Sequence, residues 1–313
     1  MTTNIAIVGA GTMGKGIAIA FARFGYDVNL FDVDAVQLSK VKDHILPEVE
    51  LMAREGLIEE VEVQPLLDRI ILCEELERAV ADADYVIECA PEKLEIKQKL
   101  FADLDRLCKA SAIFASNTSS LQLEDIMLGL SDERKAQTMV NHWYNPAHLM
   151  PIAELSFFGN TSEAVFDQVE TLYVSIGKQT VKVLKDVPGL VANRIQQAVA
   201  REVFDLIQQE VASAEDIDRA LKFGPAFRYA TTGQLEIADF GGLDIWTAVG
   251  DNLLPKMSAI QMANPMLAEK VNQGHLGFKT GKGFFEYPED EQDRIKQAFY
   301  AKLIHQLKAS EKY

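Results

Sequence analysis

Gly9-Ala10-Gly11-Thr12-Met13-Gly14 follows an apolar run at Asn4 to Val8 and precedes Gly16 to Phe24, where apolar residues recur at helical spacing. A glycine-rich turn in that position narrows the fold more than any other feature of the chain. Strand, tight turn and helix in this order open a βαβ unit, whose parallel strands join through a right-handed crossover. Gly9 allows the tight turn, Gly11 lets backbone approach a pyrophosphate, and Gly14 lets the helix pack closely. The amides around Thr12 and Met13, at the positive end of the helix, are the expected phosphate donors. A second strand at Val28 to Phe31 ends on Asp32, 23 residues after Gly9. A carboxylate there accepts hydrogen bonds from ribose hydroxyls and repels a 2′-phosphate, so the expected cofactor is NAD in preference to NADP.

Further short apolar runs extend the pattern. The segment Val33 to Arg69 reads as a helical pair, and Ile70 to Leu72, Tyr85 to Glu88 and Ile113 to Ala115 read as strands with helix-like stretches between them. Strands are also expected near Thr138 to Asn141, Ile152 to Leu155 and Thr180 to Val183. Alternation of this kind predicts an α/β fold, a Rossmann-type doubly wound sheet. From Pro188 a long helix with proline in its first turn is expected, followed by an all-helical remainder punctuated by Gly224-Pro225, Gly241-Gly242 and Gly281-Lys282-Gly283. The domains are therefore expected at 1–186, binding NAD, and 187–313, helical and contributing to substrate binding and dimerisation.

Composition excludes several functions. A net charge of −16 leaves no basic footprint for nucleic acid or an anionic membrane. Cys73, Cys89 and Cys108 fall in no metal-ligand spacing, so no metal is expected, and their odd number suits a reducing cytoplasm. The longest apolar runs fall short of the roughly 20 residues that span a bilayer, and the chain opens on a strand instead of an export signal. A cytoplasmic location is expected.

The chemistry is expected at Asn141-His142-Trp143-Tyr144-Asn145-Pro146 and, twelve residues beyond His142, at Glu154 within Pro151-Ile152-Ala153-Glu154-Leu155. Oxidation of an alcohol by NAD needs a base for the hydroxyl proton, and imidazole titrates near neutrality. A carboxylate on the other ring nitrogen would fix the tautomer and raise basicity. Together with Ser116-Asn117-Thr118-Ser119-Ser120 and Pro188-Gly189-Leu190-Val191-Ala192-Asn193-Arg194, these segments resemble, in this order, the L-3-hydroxyacyl-CoA dehydrogenase family. The resemblance covers nearly the whole chain and continues through Gly241-Gly242-Leu243-Asp244 to Gly277 to Phe285.

That resemblance implies His142 as general base, Glu154 as its orienting partner, Ser119 on the substrate's C3 oxygen and Asn193 completing the polar shell. It also implies a substrate role for Asn145 and places Glu92 and Asn117 at the cofactor. Blander readings stand beside these: Ser119 as a helix N-cap and Asn193 as a polar residue of a first helical turn. Between Asp34 and Arg69 nine acidic residues face four basic ones, a poor reception for the phosphates of CoA. The leading expectation is oxidation of a short-chain L-3-hydroxyacyl-CoA. A free 3-hydroxy acid of the L-gulonate or carnitine type is the alternative, with Arg228 in Phe223 to Tyr229 pairing its carboxylate or serving only as a surface residue. A second alternative is a non-catalytic NAD-binding protein, as lambda-crystallin relatives suggest. A homodimer through the helical domain is expected from its apolar long helix.

Overall fold

The computed structural model describes residues 3–312. Eight strands form one sheet: β1 (Ile5–Val8), β2 (Val28–Phe31), β3 (Ile70–Cys73), β4 (Tyr85–Glu88), β5 (Ile113–Ser116), β6 (Thr138–Trp143), β7 (Ile152–Ser156) and β8 (Gln179–Val183). Their spatial order is β3-β2-β1-β4-β5-β6-β7-β8. Every neighbouring pair is parallel except β6 with β7. The Rossmann-type expectation is met, and its cause is visible in β1. Ile5 and Ile7 join one buried cluster with Ile17, Phe21 and Leu30, while Ala6 and Val8 join another with Val86, Phe101 and Phe114. A strand buried on both faces needs helices on both, which the crossovers supply.

Contacts divide the chain into two compact units. One runs through Val191 and includes Tyr300–Leu307; the other holds Ala192–Phe299 and the residues after Leu307. The later segment joins the first unit because Ile304 is fully buried among that unit's apolar residues and His305 reaches Glu55 at 3.0 Å. The second unit is helical, and among the described residues no strand follows β8.

Three expectations need correction. The segment after β2 is not a helical pair but three helices, Ala35–Ser39, Val41–Arg54 and Val63–Asp68, because Asp34 caps a short first turn through the amides of Val36 and Gln37. Strand β6 continues through His142 and Trp143, so the histidine lies in the sheet and not beyond it. The long helix begins at Ala192, not at Pro188. Gly189 and Leu190 have φ of 80° and 48°, left-handed conformations that no helix contains, so Pro188 opens a turn instead.

Candidate active site

His142 and Glu154 are direct cross-strand partners in the antiparallel β6/β7 ladder, which puts both side chains on one face of the sheet. His142 Nδ1 lies 2.8 Å from Glu154 Oε2. Glu154 is fully buried, and its second oxygen accepts the Val191 amide at 2.9 Å. The turn at Gly189-Leu190 thus returns the chain onto the carboxylate. On the other side of the imidazole, Nε2 lies 3.1 Å from Ser119 Oγ, and the ring of Tyr144 meets it edge-on at 5.2 Å. Burial, then the Glu154 charge, push the Tyr144 hydroxyl up to about 12, so it stays protonated.

Ser119 is not the helix cap. Gln122 precedes the next helix, and it is Thr118 whose hydroxyl accepts the Leu121 amide, at 3.1 Å. What holds the Ser119 turn is Glu92. Its Oε1 accepts Thr118 Oγ1 at 2.7 Å, the amides of Ser119 and Ser120 at 2.9 Å each, and Ser120 Oγ at 3.0 Å. Partial burial alone would raise the Glu92 pKa; the Thr118 hydrogen bond, the Lys97 charge and the two amides outweigh it and hold it at about 2. Asn117 Oδ1 accepts the Trp143 amide at 3.0 Å, tying the end of β5 to the strand of His142.

The glycine-rich turn fits a dinucleotide. A Cβ on Gly14 would collide with the Gly9 carbonyl, and one on Gly9, whose φ is 111°, would stand 2.6 Å from the Cys89 carbonyl oxygen. Gly11, by contrast, has nothing within 4 Å of a built Cβ, and no side chain caps the helix Thr12–Arg23 that it precedes. Close packing behind and open space in front are what a bound pyrophosphate requires. Asp32 stands at the end of β2 and also braces the turn, its Oδ2 accepting the Ala10 amide at 2.6 Å.

Within the first unit the structure therefore gathers His142, Ser119, Glu92 and Asn117 at or just beyond the ends of β4 to β6, with Glu154 facing His142 from the middle of β7 and Gly9 to Gly14 and Asp32 at the ends of β1 and β2. Asn145 is exposed beside the cis peptide to Pro146. Asn193, in the first turn of the helix Ala192–Gln208, and the exposed Arg228, in the helix Pro225–Tyr229, belong to the second unit. A cavity of about 560 Å³ in that unit is lined largely by apolar side chains such as Phe204, Ile207 and Phe284, with Asp218, Lys270 and His275 among its polar residues. Sequence reasoning missed Lys97 and Glu88, both fully buried and 2.7 Å apart, and the Val191 amide on Glu154.

Two family models match the chain: 3-hydroxyacyl-CoA dehydrogenase, NAD binding domain, over residues 4–187, and 3-hydroxyacyl-CoA dehydrogenase, C-terminal domain, over residues 189–287. The chain belongs to the 3-hydroxyacyl-CoA dehydrogenase family. It is an NAD-dependent oxidoreductase of that family. A probable 3-hydroxyacyl-CoA dehydrogenase of Caenorhabditis elegans is 34% identical over 290 residues, covering 91% of this chain and 95% of its own. The 5-formyl-3-hydroxy-2-methylpyridine 4-carboxylate 5-dehydrogenase of Mesorhizobium japonicum is 32% identical over 304 residues, covering 97% of each. A solved structure of a dehydrogenase for the same pyridine carboxylic acid, described as an NAD+-dependent dismutase, superposes with a TM-score of 0.89 at 30% identity over 99% of both chains.

Proposed function

We propose that this member of the family oxidises the 3-hydroxyl of a short-chain L-3-hydroxyacyl-CoA to the 3-oxo compound, with His142 as general base. The buried His142–Glu154 pair, with Ser119 at the far nitrogen, carries the reading. Glu154 accepts a hydrogen bond from Nδ1–H, which leaves the Nε2 lone pair to take the hydroxyl proton and favours the imidazolium that results. The Ser119 hydroxyl, beside Nε2, hydrogen-bonds the substrate oxygen as it loses that proton. Asn145 and Asn193 are assigned to the substrate, as the family resemblance implies, and Arg228 to the carboxylate of a free-acid substrate in the second reading below. The Gly9 to Gly14 turn, the Thr12 and Met13 amides, Asp32, Glu92 and Asn117 are assigned to NAD, which supplies the hydride acceptor when bound.

A second reading keeps these roles and replaces the thioester by a free hydroxy acid. The charge between Asp34 and Arg69, nine acidic residues against four basic, favours it, because repulsion scales with ligand charge and CoA carries several phosphates where an acid carries one carboxylate. The full-length likeness to the pyridine carboxylate enzyme supports it as well. A purely structural protein is the weakest reading, since the acid–base pair is intact. The free thiols of Cys73, Cys89 and Cys108 support a reducing compartment such as the cytoplasm. Exposed Leu235, Phe240 and Trp246 support a homodimer through the second unit.

A substrate panel with purified protein tests the proposal. NADH oxidation by millimolar acetoacetyl-CoA supports the thioester; its absence, with NAD reduction by a free hydroxy acid, selects the second reading. His142→Gln should lower turnover by about 10² to 10⁴ with NAD binding retained, and an unchanged rate removes His142 as the base.

A further inference from the structure

We infer that Glu88, Lys97 and Glu92 act as one row of positioning residues that holds the Thr118–Ser120 turn and thereby sets the Ser119 hydroxyl against His142. The inference rests on the proposed roles of His142 and Ser119. Lys97 is fully buried on the helix Leu94–Leu107, and an ammonium in that place is costly without a partner. Its partner is Glu88, at the end of β4, whose two oxygens lie 2.7 and 2.8 Å from Nζ. Glu88 is itself anchored, accepting the Ala90 amide at 2.6 Å and the Ser116 hydroxyl, at the end of β5, at 2.5 Å.

A buried pair of this kind is already neutral and needs no third member. Lys97 nevertheless also faces Glu92 Oε2 at 3.4 Å. Glu92 is partly exposed, so burial does not explain why it spends its other oxygen on four donors, all of them from residues 118–120. The arrangement has a direction. The ammonium fixes one carboxylate oxygen, the other oxygen gathers the turn, and the turn ends on Ser119, 3.1 Å from His142 Nε2. Because the carboxylate stays ionised far into acid, the turn keeps its anchor wherever the enzyme works.

Turnover of Glu92→Gln and of the charge-neutral pair Glu88→Gln/Lys97→Gln, each made in the wild type and in Ser119→Ala, tests this, using whichever substrate the panel selects. Acting through Ser119, each change should lower kcat by about tenfold or more in the wild type and by less than about twofold in Ser119→Ala, since residues serving one contact are not additive. Equal losses in both backgrounds, or no loss in the wild type, overturn the inference. If the buried double substitution prevents folding, Glu92→Gln at its half-exposed position decides alone. Failure of the underlying reading is distinct: it shows as a His142→Gln enzyme that turns over at the wild-type rate.

Discussion

A carboxylate that accepts four hydrogen bonds through one oxygen and faces an ammonium with the other gives up its proton readily, and Glu92 does so near pH 2 against an ordinary value of 4.5. The sign follows from linkage. A folded-state pKa below the unfolded one stabilises the fold fully above pH 4.5 and loses that contribution as pH falls towards 2. Urea midpoints should therefore show a constant gap between wild type and Glu92→Gln above pH 5, closing below 4.5; a gap independent of pH contradicts the assignment. Of the residues gathered at the candidate site, His142, Glu154 and Asp32 were read from their spacing and neighbours, whereas Ser119 was singled out only by the family resemblance, its own neighbours suggesting a helix cap. Lys97 was not legible, because a lysine on a helix reads as a solvated face. One signal was available: Lys97 shares the i, i+4, i+7 spacing of Phe101 and Leu104, the buried stripe of its helix.

At the scale of elements, the strands were legible because short apolar runs between helical stretches have few other uses. The end of β6 was not, since His142 and Trp143 look like the start of a loop until the pairing with β7 is known. The helix start after Pro188 was misplaced for a related reason: Leu190 adopts a left-handed conformation that local propensity does not favour, and the Val191 amide on Glu154 accompanies it. The connection between β6 and β7 is held from outside by Lys178. Its Nζ donates to the carbonyls of Ala147 at 2.7 Å and Met150 at 2.5 Å. Burial, then the Arg23 charge, lower this amine to about 7, and in either protonation state it has the two N–H groups it uses. Lys178→Met leaves both carbonyls without that donor and should cost about 1 to 3 kcal/mol in urea unfolding, the range for abandoned buried partners. A midpoint equal to wild type shows that the turn holds itself.

For the whole molecule, the two units contrast in how they treat apolar surface. The first buries it on both faces of the sheet, whereas the second leaves Leu235 85% and Phe240 83% exposed. Sedimentation at micromolar concentration should find a dimer of the 34.8 kDa chain, and Phe240→Asp with Leu235→Asp should shift it towards monomer. A species of single-chain mass contradicts the homodimer. The reversal of β7 has a consequence for how such a catalyst can be assembled at all. A parallel pair needs a crossover between its strands, whereas the antiparallel step lets residues 144–151 lead straight from β6 back into β7. That single change of direction sets an acid from the middle of one strand beside an imidazole near the finish of another, on the rim where the glycine turn also emerges.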